Sequence, residues 1–117
     1  NTFEHIPEDS IFNILERFRC LLADGGVISL VIDYSDHYSH VDSSIPPDNF
    51  NKFSNVIWDT FFNTPLHYQN RLSHQDYMSI FTSSGFRVVS DTPIFSEWES
   101  TKYLTSGHFR LDVDKSW

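Results

Sequence analysis

Apolar residues recur at helical spacing through PEDSIFNILERFRCLLADGG, where Ile11, Ile14, Leu15, Phe18, Leu21 and Leu22 make one stripe. Pro7 suits a first turn, Glu8 and Asp9 complement the positive helix end, and Gly25 suits the exit, so a helix is expected near 8–23. The period changes after Gly26. VISLVID is almost continuously apolar and β-branched, which predicts a strand at 27–33 buried on both faces, as in a parallel sheet. A helix, a two-glycine turn and a buried strand make half of an α/β unit.

Residues 35–48 are polar and end in the breaker pair Pro46 and Pro47. DNFNKFSNVIWDTFFN then predicts a helix near 49–62, capped by Asp48 or Asn49, with Phe50, Phe53, Ile57, Trp58 and Phe61 forming a core-facing side. TPLHYQNRL is a loop. SHQDYMSIFTSSGF predicts a helix near 74–84, with Ser73 as N-cap, Asp76 standing in for the usual Glu or Gln of a capping box, and Gly85 at the exit. FRVVSD is a strand near 86–91. The tail from Thr92 is ambiguous, and HFRLDV offers a third strand near 108–117.

Length then bounds the picture: 117 residues make one small domain. Apolar residues are lean at 39%, but 11 Phe, 5 Tyr and 3 Trp bury large areas each and can build a core. A net charge of −8 with only 8 Lys and Arg, none in a run, argues against nucleic acid. Cys20 excludes an internal disulfide framework, fits a reducing, cytoplasmic setting, and by its place in the helical pattern is expected to be a buried, inert thiol. No apolar stretch approaches the ~20 residues that cross a bilayer, and no signal peptide is present, so no membrane partner is expected.

Three local patterns together resemble the back half of a class I, Rossmann-like S-adenosylmethionine-dependent methyltransferase. FEHIPED is similar to the segment after that family's fourth strand, LLADGGVISLVID to its helix-to-fifth-strand junction, and YMSIFTSSGFRVV to the helix and Gly-Phe turn entering its sixth strand. The resemblance spans nearly all of this chain but only half of the family's domain. The glycine-rich loop that cradles the cofactor and the acid that binds its ribose have no counterpart here. The implied fold is therefore a partial doubly wound α/β sheet: a single partial domain over 1–117, with an inserted substrate-side segment at 35–72. The implied cofactor, in a complete protein, is S-adenosylmethionine, with Phe3, Glu4 and His5 beside it. The resemblance places His5 where an imidazole of pKa ~6.5 could accept a proton from a methyl acceptor. The plainer reading of His5 is a backbone hydrogen bond ahead of the helix.

DYSDHYSHVD, residues 33–42, is the densest polar stretch. Ligands of doubly wound folds bind beyond the carboxyl ends of the strands, which makes Asp33, Tyr34, His37 and His40 candidate substrate-binding residues. A solvated loop with local turn hydrogen bonds is the second reading. A metal centre on His37 and His40 with nearby aspartates is a third, but the spacing matches no closed zinc pattern and no cysteine assists, so no metal is expected. LHYQNRL adds Tyr68, Asn70 and Arg71 as substrate-side candidates. Arg71 could hold a carboxylate or phosphate, or could pair with Asp33 or Asp76 and fasten the insert.

The leading expectation is part of an enzyme that moves a methyl group from S-adenosylmethionine to a small-molecule acceptor, inactive as the isolated segment. The rivals are a non-catalytic α/β module that dimerises or completes another chain, and a metal-dependent hydrolase. The partner expected for the fold is either a second copy or a missing N-terminal half.

Overall fold

The computed structural model describes residues 2–40, 42–63 and 68–115, without the side chains of His37, Tyr38, Phe61 and Phe62. Helix α1 runs Glu8–Leu21 and starts at Pro7, with Glu8 and Asp9 in its first turn as the helix dipole favours. After the Gly25–Gly26 turn comes β1, Val27–Asp33. Gly25 has φ 75°, and a Cβ on Gly26 would meet the Ala23 carbonyl oxygen at 2.9 Å, so both positions favour glycine.

The expected single helix at 49–62 is broken. A 3-10 turn, Asn49–Lys52, ends at Phe53, and Ser54 starts a new turn by accepting the Ile57 N–H at 3.2 Å. The three-residue α2, Asn55–Ile57, then widens into a π turn, Trp58–Phe62. A serine that competes for backbone amides splits the segment although its apolar period is continuous. Phe50 and Trp58 are buried there, Ile57 is exposed, and Phe61 lies outside the described side chains.

Helix α3, His74–Ser83, opens on a complete capping box: Ser73 Oγ accepts from Asp76 N at 3.1 Å, and Asp76 Oδ2 accepts from Ser73 N at 2.9 Å. Aspartate closes the box as glutamate would. Gly85, with φ 85°, ends the helix and delivers the chain to β2, Phe86–Trp98. The strand expected near 86–91 is thus much longer, and β3, Thr101–Val113, returns beside it. The third strand begins well before 108 and ends before Ser116 and Trp117, which lie outside the described residues. Glu99 and Ser100 both adopt positive φ, 47° and 65°, in the two-residue turn between them.

The three strands form one antiparallel sheet in the order β1-β3-β2, so the fold is mixed helix and sheet. Because β1 and β2 are each antiparallel to β3, they run parallel to one another. The core gathers Phe3 from a 3-10 turn, Phe3–His5, and Ile11, Leu15, Ile32, Tyr77, Phe81, Phe86, Phe109 and Leu111 from α1, α3 and one face of the sheet. At about 25 cal/mol per Å² such aromatic and branched side chains each stabilise by roughly 1.5–3 kcal/mol.

Two expectations about burial are corrected. Strand β1 is not buried on both faces: it is an edge strand, Ile32 is its one buried residue, and Val27 and Val31 are exposed. The α1 stripe is covered only in part. Ile11 and Leu15 are fully buried, but Phe18 is 37% and Leu21 74% exposed, beside the open edge of β1. Cys20, expected to be buried, is exposed.

Candidate functional site

Alternation along β1 sends Asp33 and Tyr34 to opposite sides of the sheet end, and the polar stretch accordingly divides. On one side Asp33 Oδ1 accepts from Ser35 N at 2.9 Å and from Ser35 Oγ at 2.5 Å, an Asx-type turn. His40 Nε2 lies 2.9 Å from Ser35 Oγ and 3.7 Å from Asp33 Oδ2. Serine, histidine and aspartate are together, yet one imidazole nitrogen faces both partners and the serine proton is committed to the carboxylate. That geometry does not activate a nucleophile, which needs the histidine between the other two. Asp36, fully buried, accepts from Asn49 Nδ2 at 3.3 Å, and its backbone N–H donates to Pro47 O. Gln69 Nε2, buried, donates to Ser35 O at 2.5 Å. This half of the stretch is loop chemistry of the kind the second sequence reading describes. His37 has its side chain outside the described residues, and among the described residues no three metal-ligating side chains cluster.

Tyr34 points the other way, to the face that carries the core. Its hydroxyl lies 3.2 Å from His74 Nδ1, and His74 Nε2 lies 2.9 Å from Asp91 Oδ2. All three strands build this arrangement. Tyr34 follows β1, Asp91 belongs to β2, and Phe109 of β3, the register partner of Asp91, stacks on the His74 ring at 5.4 Å between centroids. Helix α3 supplies His74 as its first residue. Gly107 supplies room: a Cβ there would come within 3.2–3.3 Å of the Tyr34 ring and hydroxyl. Burial, then the charges of Tyr77 and Asp91, push the Tyr34 hydroxyl pKa well up, so it stays protonated at neutral pH. Tyr34 and His74 line a cavity of about 190 Å³ that Arg71 also borders.

The other candidates do different work. Arg71 reaches neither Asp33 nor Asp76: its Nη1 donates to the carbonyls of Phe50 at 2.8 Å and Phe53 at 2.7 Å, Nη2 donates to Asn55 Oδ1, and the guanidinium sits 5.3 Å from the Trp58 ring. It fastens the insert through carbonyls rather than carboxylates, and holds a φ of 58° to do so. Asn70 clamps the 3-10 turn Phe3–His5, donating from Nδ2 to Phe3 O at 2.8 Å and Ile6 O at 2.6 Å and accepting from Leu72 N at 3.0 Å. His5 Nδ1 donates to Tyr68 O at 2.9 Å, the plainer of its two readings. Burial, then the charge of Asp59, raises the Tyr68 pKa.

Of the three residues expected beside the cofactor, Phe3 is a core residue and His5 is engaged with backbone. Glu4 is 2% exposed, and neither carboxylate oxygen has a hydrogen-bond partner among the described residues. One carboxylate of that kind can take a donor, but it is no cradle. The described residues therefore do not fit S-adenosylmethionine as a bound group.

The sequence reading named Tyr34 and Arg71, which the structure places on one cavity, and missed His74 and Asp91. His74 carried only a helix-start signal and Asp91 only a strand signal, and neither points to the other without the sheet. A larger cavity, about 470 Å³, lies at the opposite end of the sheet around Gly25, Gly26 and the Arg87–Asp112 ion pair. No family model matches this chain, and no curated protein or solved structure matches it either.

Proposed function

We propose that these residues are the acceptor-side part of a class I methyltransferase, which moves a methyl group from S-adenosylmethionine to a small molecule. The observation that carries this reading is the site's position: Tyr34, His74 and the cavity lie beyond the carboxyl end of β1, where open α/β sheets bind ligands. Parallel β1 and β2 joined through α3, with an antiparallel strand between them, are compatible with a mixed doubly wound sheet. The cofactor's cradle has to come from outside these residues. The Glu4 carboxylate, without a hydrogen-bond partner among the described residues, and the open, apolar edge of β1 support that, because both call for covering groups.

Calorimetry on this chain and on the intact gene product tests the reading. The chain is expected to bind S-adenosylmethionine negligibly, and a longer product with an upstream glycine-rich strand–turn to bind it and release S-adenosylhomocysteine with an acceptor. An authentic reading frame of this length, inert toward the cofactor, would leave the non-catalytic module instead, for which the same open edge speaks.

A further inference from the structure

Asp91, His74 and Tyr34 form a hydrogen-bonded line that ends in a small cavity, and a neutral imidazole gives it one direction. Asp91 is a carboxylate and only accepts, so His74 Nε2 carries the proton. In the neutral imidazole His74 Nδ1 then offers a lone pair and accepts the Tyr34 O–H. The Tyr34 oxygen keeps lone pairs for a donor that enters the cavity. The remaining walls include Phe50, Leu72, Tyr103 and Leu104, which suit a flat apolar body, and the polar Asp48, Asn51 and Ser73. At about 190 Å³ the space admits one ring and little more.

We propose that this cavity binds a phenol-type acceptor and that Tyr34 takes its hydroxyl proton, passing its own to His74. The O–H bond of the ligand breaks and its electron pair stays on the ligand oxygen. The proton goes to the Tyr34 oxygen, while the Tyr34 proton moves to His74 Nδ1, and Asp91 faces the resulting imidazolium. Charge balances as one phenolate and one imidazolium. Tyr34 is the group that touches the ligand; His74 and Asp91 act through it. A phenol suits the line better than an alkanol, because its hydroxyl, with a pKa of ~10, gives up its proton far more readily. The raised Tyr34 pKa keeps that residue a conduit that gains a proton as it loses one. Stacking on Phe109 and the one-directional bond to Asp91 hold the imidazole ring in the plane the transfer needs. The Arg71 guanidinium, held in place by the carbonyls of Phe50 and Phe53, borders the same cavity and favours the anion formed.

This inference names the acceptor of the proposed methyl transfer, but its test needs no cofactor. The probe is para-nitrophenol, whose phenolate absorbs separately from the phenol, titrated with the full chain near neutral pH. The bound probe is expected to favour phenolate over the free probe by about tenfold, one pKa unit. Tyr34→Phe and Asp91→Asn should each abolish that shift and, because the bound phenolate then loses its advantage, weaken the probe near neutral pH by about fivefold while the phenol form still binds. Nitrogen-15 correlation spectra should place the His74 proton on Nε2. No binding, a phenolate shift that survives both variants, a His74 proton on Nδ1, or tighter binding of para-nitroaniline would each overturn the proposal. A phenolate shift without methyl transfer by the longer product would defeat the methyltransferase reading alone; methyl transfer without the shift would defeat the relay alone.

Discussion

Replacing Asn70 by alanine removes a clamp whose strength the geometry bounds. The side-chain amide makes three bonds to backbone, at 2.8 Å to Phe3 O, 2.6 Å to Ile6 O and 3.0 Å from Leu72 N, and a fourth bond, from its own N–H to Glu4 O at 2.9 Å, survives truncation. At about 1 kcal/mol net for each bond lost, the cost is at most about 3 kcal/mol. Ile6 is only partly buried, so water replaces some of its share, and the expected loss is about 2–3 kcal/mol. Against a total of 5–15 kcal/mol for a typical domain this is large, and it corresponds to a fall in Tm on the order of 10 °C. Asn70→Asp should cost more near neutral pH, because a carboxylate would then face two carbonyl oxygens beside the buried Glu4, and should recover part of the loss near pH 4. Urea unfolding followed by the fluorescence of buried Trp58 measures both. Asn49→Ala, which loses a single 3.3 Å bond to Asp36, is the control. An Asn70→Ala protein within about 0.5 kcal/mol of the parent would refute the reasoning and leave Phe3 packing as the sole anchor of that turn.

Arg71→Lys keeps the charge but cannot reach the carbonyls of Phe50 and Phe53 and the Asn55 side chain together. It should destabilise by about 1–2 kcal/mol and loosen the 49–62 segment in hydrogen exchange, whereas a neutral result would mean the insert holds without it. Burial raises the Tyr77 pKa above its unfolded value, so that stability is complete below about pH 10 and declines by about 1.4 kcal/mol per unit as pH climbs toward the folded value. Tyr77→Phe should remove that share of the alkaline decline and leave the share of Tyr34 in urea titrations from pH 8 to 11; equal slopes would contradict it. Sedimentation velocity should find the chain self-associating through the β1 edge, or only marginally folded, and Val31→Lys should return any dimer to monomer. A cooperatively unfolding monomer at tens of micromolar would refute that expectation.

Helices α1 and α3, the strand at 27–33 and the start of β2 were legible from local terms, because an apolar period, a cap and a glycine act over one or two turns. Ser73, Asp76 and Gly85 are sufficient examples. The break at Ser54 was not, since the apolar period of Phe50, Phe53, Ile57 and Trp58 runs through it and a single serine–amide bond decides the outcome. Nor was the β2–β3 hairpin, because its turn rests on Glu99 and Ser100 at positive φ instead of the Asn-Gly or Asp-Gly that would announce it. The strand pairing also decided the burial of β1. A β-branched run records only that apolar cover suits it, and the sheet left one of its edges open. The same separation holds at the site. Tyr34 could be picked out in the crowded stretch, but its neighbours in that stretch, Asp33 and His40, are turned by strand alternation into a local hydrogen-bonded loop. Its actual partners, His74 and Asp91, reach it from a helix start and a distant strand, and only the packing of α3 across the three strands joins a hydroxyl, an imidazole and a carboxylate into one line.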